Sequence, residues 1–497
     1  MTQAPARQQS GSTFESLNPA TGEVVGTHPV QTDDEVRAAV GRARDEAVWW
    51  AALTFDQRKQ HLNAWKTAMT QRLPELADLV HREMGKPESD AILEAGLAIE
   101  HIAWAAGHAK KVLGRRRVSS GMLMVNQAAT VEFRPLGVVG VIGPWNYPVF
   151  TPLGSIAYAL AAGNAVVFKP SEFTPGVGAW MVQVFQEVVG RPVLQLVTGL
   201  GKTGAALCRA GVDKLAFTGS TATGKKVMAA CAETLTPVVI EAGGKDSVIV
   251  DADADVAAAA DAALWGACAN AGQTCIGVER VYVHEKVYDE FVSTITEKAR
   301  GLEASGDGKI GPITMPSQVG VIRSHVEDAL ARGGRAVVGG ADAVGDRFVQ
   351  PTILVDVPED SLAVQEETFG PTMTIAKVRD MDEAVELTNA TRYGLGNTVF
   401  SKANGMAIAE RIRSGMSAVN GVISFAGIPS LPFGGVGDSG FGRIHGAEGL
   451  KEFTYSKAIA RQRFKPMINV TSFERTAKAE QQFAKVLGLL HGRGKRR

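Results

Sequence analysis

The chain has 497 residues, 45% of them hydrophobic, with 52 basic side chains set against 52 acidic ones. That length exceeds what one hydrophobic core of ordinary size fills, so two or more domains are expected. The balanced charge leaves no overall field to steer the protein to nucleic acid, which points to a small-molecule partner.

The N-terminal MTQAPARQQSGSTFES has neither the apolar core of a secretion signal nor the Arg-rich amphipathy of a transit peptide, and is expected to be a loose leader. From Asp33 the pattern is helical, with Asp33 or Asp34 as cap and Val36, Ala39 and Val40 on one face. Helices fill the first hundred residues. After Arg117 a hairpin is predicted, MLMVNQ and ATVEFRP around a turn, and then a buried strand over Val138–Ile142. Strand and helix patterns then alternate: AVVFKP, a helix over Pro175–Val189, PVLQLV, a helix near Ala205, KLAFTG, a helix from Thr223, and PVVIEAGG. This rhythm predicts an α/β fold with a parallel sheet covered by helices on both faces. A second α/β round starts at SVIVDADAD with an alanine-rich helix over Val256–Ala271, so a boundary is placed near Gly243 and Gly244. The most apolar stretches, Leu136–Val149 and Gly154–Phe168, are interrupted by Pro148, Asn164 and glycines, short of the ~20 clean residues of a membrane span.

The four cysteines, Cys208, Cys231, Cys268 and Cys275, form no CxxC pair and no zinc spacing, so reduced thiols, no metal site and a cytoplasmic location are expected. Cys275, in WGACANAGQTCIGVERVYV between a helix and a strand, is a candidate nucleophile. Alone, it would more often be a small buried hydrophobe. FRPLGVVGVIGPWNYP, VVFKPSEFTP and VVIEAGGKD change the balance, because each puts a polar residue at a strand end, where such sheets bind ligands.

From SLNPATGEVV to PFGGVGDSGFGR, the order PWNYP, KPSE, FTGST, EAGGK, GQTC, EETFGP and PFGG resembles the aldehyde dehydrogenase superfamily, as does the 34-residue spacing from Glu241 to Cys275. The resemblance implies a Rossmann-type cofactor domain over residues 1–117 and 136–243, a catalytic domain over 244–447, and a β oligomerisation arm of 118–135 with 448–465. A tail, 466–497, follows. It further implies that Cys275 attacks the aldehyde, that Asn146 and the Cys275 amide stabilise the oxyanion, and that Glu241 activates the hydrolytic water. Otherwise Asn146 would cap a turn and Glu241 would pair with Lys245. Relatives that acylate coenzyme A typically lack this glutamate, so a free acid is expected; acyl transfer to coenzyme A and a non-catalytic binding protein are the alternatives.

By the same resemblance Ile142, Pro144, Trp145, Lys169, Ser171, Glu172, Gly219, Ser220, Glu367 and Phe369 hold the cofactor. Lys169 and Glu172 face the adenosine ribose, Gly219 and Ser220 the pyrophosphate with Trp145 beside it, and Glu367 and Phe369 the nicotinamide end. The acidic Glu172 repels a 2'-phosphate, so NAD is preferred, with NADP possible. Gly219–Lys225 also matches G-x-x-x-x-G-K, but Lys226 stands where a P-loop needs a hydroxyl for magnesium. Two departures from the family pattern stand out: Ala242 replaces the usual leucine, and Gly437 replaces a lysine, as in the branch acting on long-chain or aromatic aldehydes. Gly154 in place of a bulky aromatic predicts a wide apolar tunnel, with Tyr147 and Phe425 lining it. A homodimer or homotetramer is expected. In the tail, Phe483, Val486, Leu487 and Leu490 form a helical apolar stripe before HGRGKRR; of packing on its own subunit and docking on a membrane surface, packing is expected.

Overall fold

The computed structural model describes residues 8–9, 12–306 and 308–492. The chain divides into two compact units, Met1–Leu113 with Pro135–Tyr455, and Gly114–Arg134 with Ser456–Arg497.

In the larger unit, part of the expected loose leader is ordered: Thr13–Leu17 is the middle strand of a three-stranded sheet, between Gln8–Gln9 and Val24–Pro29. Residues 1–7, 10 and 11 lie outside the described ones. Four helices follow, Asp33–Ala52, Phe55–Gln71, Leu73–Met84 and Glu88–Leu113. The first is capped by Thr32, not by Asp33 or Asp34. The Thr32 hydroxyl accepts the Glu35 N–H at 3.3 Å while the Glu35 carboxylate accepts the Thr32 N–H at 2.8 Å, a reciprocal box that satisfies two orphan donors. The two aspartates sit in the first turn, where the helix dipole favours them.

Two large sheets carry the rest of this unit. The first has six strands in the order Gly440–Phe441, Val238–Glu241, Lys214–Thr218, Val138–Ile142, Ala165–Lys169, Leu194–Leu196, parallel except for the Gly440–Phe441 edge. Its strands are almost continuously buried, as helices on both faces require. Of the helices between them, Pro175–Val189 has its predicted bounds, Gly201–Arg209 includes Ala205, Thr221–Ala232 starts two residues before the expected Thr223, and Phe150–Ala162 is not predicted by the sequence pattern. The second sheet has seven strands, ordered Arg335–Val338, Thr352–Val355, Thr372–Val378, Arg280–His284, Ser247–Val250, Asn397–Phe400, Ala418–Val419, with Arg335–Val338 antiparallel. The alanine-rich helix Val256–Cys268 packs into its core and ends three residues earlier than expected, in a 3-10 turn over Ala269–Gly272.

The smaller unit holds a sheet of Thr454–Gln462, Gln127–Pro135 and Arg116–Val118. The hairpin partner of Gln127–Pro135 is therefore Arg116–Val118, not MLMVNQ: Arg116 lies opposite Val131, and Gln127 N–H donates to Met124 O at 2.8 Å to close a turn over the intervening residues. Helix Ala477–His491 starts at Thr476, whose side chain accepts the Ala479 N–H. The stripe Phe483, Val486, Leu487 and Leu490 packs only in part: its four side chains are half-buried, and no residue of this helix is fully buried. Four side chains flanking Gly488 offer little area with which to bury a whole helix face. The basic end beyond Gly492 lies outside the described residues.

Candidate active site

The first strand ends of the six-stranded sheet set out a cleft. Ile142 and Lys169 are register partners at the ends of adjacent strands, and Ile142 also lies opposite Phe217. Gly143 N–H donates to Lys169 O at 3.0 Å, after which Pro144 turns the chain and Trp145 stands edge-on to Phe173 and Phe369. Lys169 is buried, its Nζ 2.9 Å from Pro170 O and 3.7 Å from the partly exposed Glu172 carboxylate. Ser171 is buried, and its hydroxyl accepts the Phe173 N–H. At the next strand end a Cβ on Gly219 would meet the Phe217 ring at 2.7 Å, so a side chain there would have to displace that ring. Ser220 caps helix Thr221–Ala232, leaving its free N–H groups at the cleft. Lys225 turns away to Asp438 at 3.6 Å, so nothing resembles the lysine of a P-loop cradle. This array of strand ends, a glycine and a helix N-terminus suits a dinucleotide.

Cys275 follows the 3-10 turn in a loop fixed by buried amides. Asn270, at φ 55, donates through Nδ2 to Asn146 O at 2.9 Å and to Gln273 O at 3.1 Å. Gln273 donates to Asn270 O and Pro312 O and accepts the Thr314 N–H. Asn146 donates through Nδ2 to Gln273 O at 2.9 Å, which holds its amide beside the Cys275 loop. Two glycines set how near the chains come. A Cβ on Gly244 would lie 2.6 Å from Cys275 O, and one on Gly272 would lie 2.0 Å from Gly370 O.

Glu241, at the end of its strand, is buried, and neither carboxylate oxygen has a hydrogen-bond partner. Burial pushes its pKa well above the usual carboxylate range, opposed in part by Arg443. It does not pair with Lys245. That lysine turns to Glu279, also reaching Thr368 Oγ1 at 3.2 Å, and Glu279 accepts the N–H groups of Thr368 at 2.8 Å and Phe369 at 2.9 Å. Glu367 accepts the Gly244 N–H at 3.2 Å, and burial followed by Glu279 pushes its pKa up to about 8. The Cys275 thiol is pushed up first by burial, then by the carboxylates of Glu367, Asp246 and Glu241. All four cysteines are free thiols, and among the described residues no cluster of His, Cys, Asp or Glu could hold a metal.

The Cys275 loop forms part of the wall of a cavity, otherwise mainly apolar, with Phe150, Trp265, Ile423 and Phe433 around it. Tyr147 lines it, with its hydroxyl 3.0 Å from Thr274 Oγ1. Gly154 and Phe425 do not. The space that Gly154 leaves is taken by His445, whose Nε2 would lie 2.4 Å from a Cβ, and Phe425 packs against Gly396 instead. Tertiary neighbours fill what the local sequence leaves open. Sequence reasoning also missed Lys86 and Glu94, a buried pair: Lys86 donates to Asn146 O at 3.0 Å, and Glu94 accepts the N–H groups of Val149 at 2.8 Å and Phe150 at 3.0 Å. Lys86 lies in the turn between helices Leu73–Met84 and Glu88–Leu113, and Glu94 is a charge inside the second, neither of which marks a buried pair in the sequence.

Residues 6–459 match the model of the aldehyde dehydrogenase family. The chain is 34% identical to a 4,4'-diapolycopene aldehyde oxidase of Methylomonas, covering 97% of this chain and 92% of that one. It is 35% identical to a putative NADP(+) succinate-semialdehyde dehydrogenase of Mycolicibacterium smegmatis, covering 89% and 87%. An NAD-dependent aldehyde dehydrogenase structure from Sinorhizobium meliloti superposes with a TM-score of 0.88 at 33% identity, covering 95% and 94%. The chain belongs to the aldehyde dehydrogenase family. It is an oxidoreductase that converts an aldehyde to the acid with NAD(P).

Proposed function

We propose that Cys275 is the nucleophile, that Asn146 and the Cys275 N–H hold the oxyanion, and that Glu241 is the base that prepares water for thioester hydrolysis. The observation carrying this reading is Glu241 itself: a buried carboxylate with no partner, in the field of the one cysteine that borders an apolar cavity. Addition of sulfur to the carbonyl carbon places negative charge on oxygen. Donors fixed beforehand stabilise it by about 3 kcal/mol each. Asn146 is pre-positioned by Gln273 O on one side and by Lys86 through its own carbonyl on the other. NAD, when bound, supplies the hydride acceptor. Lys169, Ser171 and Glu172 would hold its adenosine ribose, Gly219, Ser220 and Trp145 its pyrophosphate, and Ile142, Pro144, Glu367 and Phe369 the remaining contacts. With a carboxylate at Glu172, NAD is preferred over NADP. Glu241 then takes a proton from water as the water oxygen attacks the acyl carbon, and the Cys275 sulfur leaves, to be reprotonated.

The substrate is an apolar aldehyde. A semialdehyde would bring a second carboxylate, and among the described residues the one cation bordering the cavity, Lys86, is already neutralised by Glu94. The relative named for 4,4'-diapolycopene aldehyde fits this wall better than those named for semialdehydes. The six-stranded sheet would serve the cofactor domain and the seven-stranded sheet the catalytic domain, meeting at Gly243 and Gly244. The strands Gln127–Pro135 and Thr454–Gln462 would form the arm of a cytoplasmic homodimer or homotetramer. A panel of long aliphatic, aromatic and semialdehyde substrates, scored by cofactor reduction with NAD and NADP in parallel, tests the reading. Preference for succinate semialdehyde over every apolar aldehyde would overturn the substrate class, and loss of no activity in Cys275→Ala would overturn the chemistry.

A further inference from the structure

The last 42 residues, which begin within the strand Thr454–Gln462, differ in composition from the rest of the chain. Residues 456–497 carry eleven Lys or Arg and two Glu, whereas the other 455 residues carry 41 basic and 50 acidic side chains. A chain of zero net charge thus holds +9 in its last 42 residues. Folding does not require this separation: among the described residues Arg475 with Glu480 is the one ion pair of the segment. Large apolar side chains are interleaved with these cations and stand in solvent, Met467 at 94%, Phe473 at 105% and Leu489 at 73% exposure. Helix Ala477–His491 adds the half-buried stripe Phe483, Val486, Leu487 and Leu490, with the exposed Lys478 and Lys485 on its other side.

We propose that residues 464–497 dock this enzyme on an anionic lipid bilayer, with helix Ala477–His491 lying in the plane of the interface. Basic side chains alone would equally suit a nucleic acid. Exposed phenylalanine, methionine and leucine between them have no role on a phosphate backbone, but partition into the boundary between headgroups and acyl chains. Contact between residues 464–497 and the same residues of a second copy would set +6 against +6, which is unfavourable. No helix among the described residues is long and apolar enough to cross a membrane, so the contact is with the surface. The proposal stands on the segment alone, and an apolar aldehyde of the class proposed above would be concentrated in that same layer.

Co-sedimentation of the full chain with vesicles of mixed phosphatidylglycerol and phosphatidylcholine, against phosphatidylcholine alone, tests the proposal. The full chain is expected to pellet with the anionic vesicles and to be released by salt. Each basic residue held near an anionic surface changes partition about fivefold, so Lys478→Glu with Lys485→Glu should lower it at least about 25-fold. Leu487→Asp should weaken binding even at low salt. Because none of these side chains is buried, turnover of a water-soluble aldehyde should be unchanged and reports that each variant is folded. Equal pelleting with both vesicle types, or none with either, overturns the proposal. So does binding of a single-stranded RNA without vesicle binding, or a loss of oligomer mass by light scattering in Leu487→Asp when the parent chain ignores vesicles.

Discussion

Two kinds of buried charge surround Cys275. Lys86 with Glu94 and Lys245 with Glu279 are paired, and their remaining hydrogen bonds go to backbone N–H and C=O groups and, from Lys245, to the Thr368 hydroxyl. Glu241 is as deeply buried and has no partner at all. Paired charges inside a protein fix geometry, whereas a lone carboxylate is destabilised in its ionised form and is thereby ready to take a proton. The difference separates residues that position from a residue that reacts.

The largest expected effects break the reacting side. Cys275→Ala should lower kcat/KM by at least about 10⁴-fold, with circular dichroism unchanged; residual turnover above that level would remove the cysteine from the chemistry. Glu241→Gln should lower steady-state kcat by about 10²- to 10⁴-fold while a first burst of reduced cofactor survives. Loss of the burst as well would place Glu241 before hydride transfer instead of after it. In the parent enzyme the deacylation rate should rise with pH through a range above that of ordinary carboxylates, because the protonated acid cannot serve as base.

Glu241 also allows a stability test. Its folded pKa is raised above the unfolded value, so the folded state holds the extra proton. Stability is then full below the unfolded pKa and falls as pH climbs toward the folded one. Glu241→Gln should therefore raise Tm at about pH 8 and leave it unchanged at about pH 4. The positioning side behaves oppositely: Lys245→Met strands Glu279 and should cost about 3–5 kcal/mol in denaturant unfolding. If that variant is as stable as the parent, the pair does not fix the Thr368–Phe369 segment. At the small end, Thr32→Ala removes a cap far from the site and should cost about 1 kcal/mol with kcat unaltered.

The alternation of strand and helix was legible in the sequence because buried parallel strands and amphipathic helices carry different periods; the helix Pro175–Val189 appears with its predicted bounds. So was the grouping of Asn146, Glu241 and Cys275 at strand ends and loops. Partners of charge were not. Lys245 lies four residues from Glu241 but pairs with Glu279, 34 residues on, because Ser247 starts a strand of the other sheet beside Arg280 and carries the lysine with it. Nor was the fate of Gly154, since what fills a missing side chain's space is decided by a segment almost 300 residues away. The smaller unit's hairpin was misjudged for a similar reason: MLMVNQ has strand composition, but register and turn closure favour Arg116–Val118.

His445 has a consequence for anyone redesigning the enzyme. Its ring lies tilted against His101, centroids 3.7 Å apart, and also borders Phe150 and Phe433, both of which form the cavity wall. Neither of its ring nitrogens has a partner, so exchanging it for a smaller apolar residue forfeits no hydrogen bond. The imidazole is a removable plug: taking it out lets two aromatic rings retreat, and the depth of the chamber becomes adjustable at a position that touches neither nucleophile nor base.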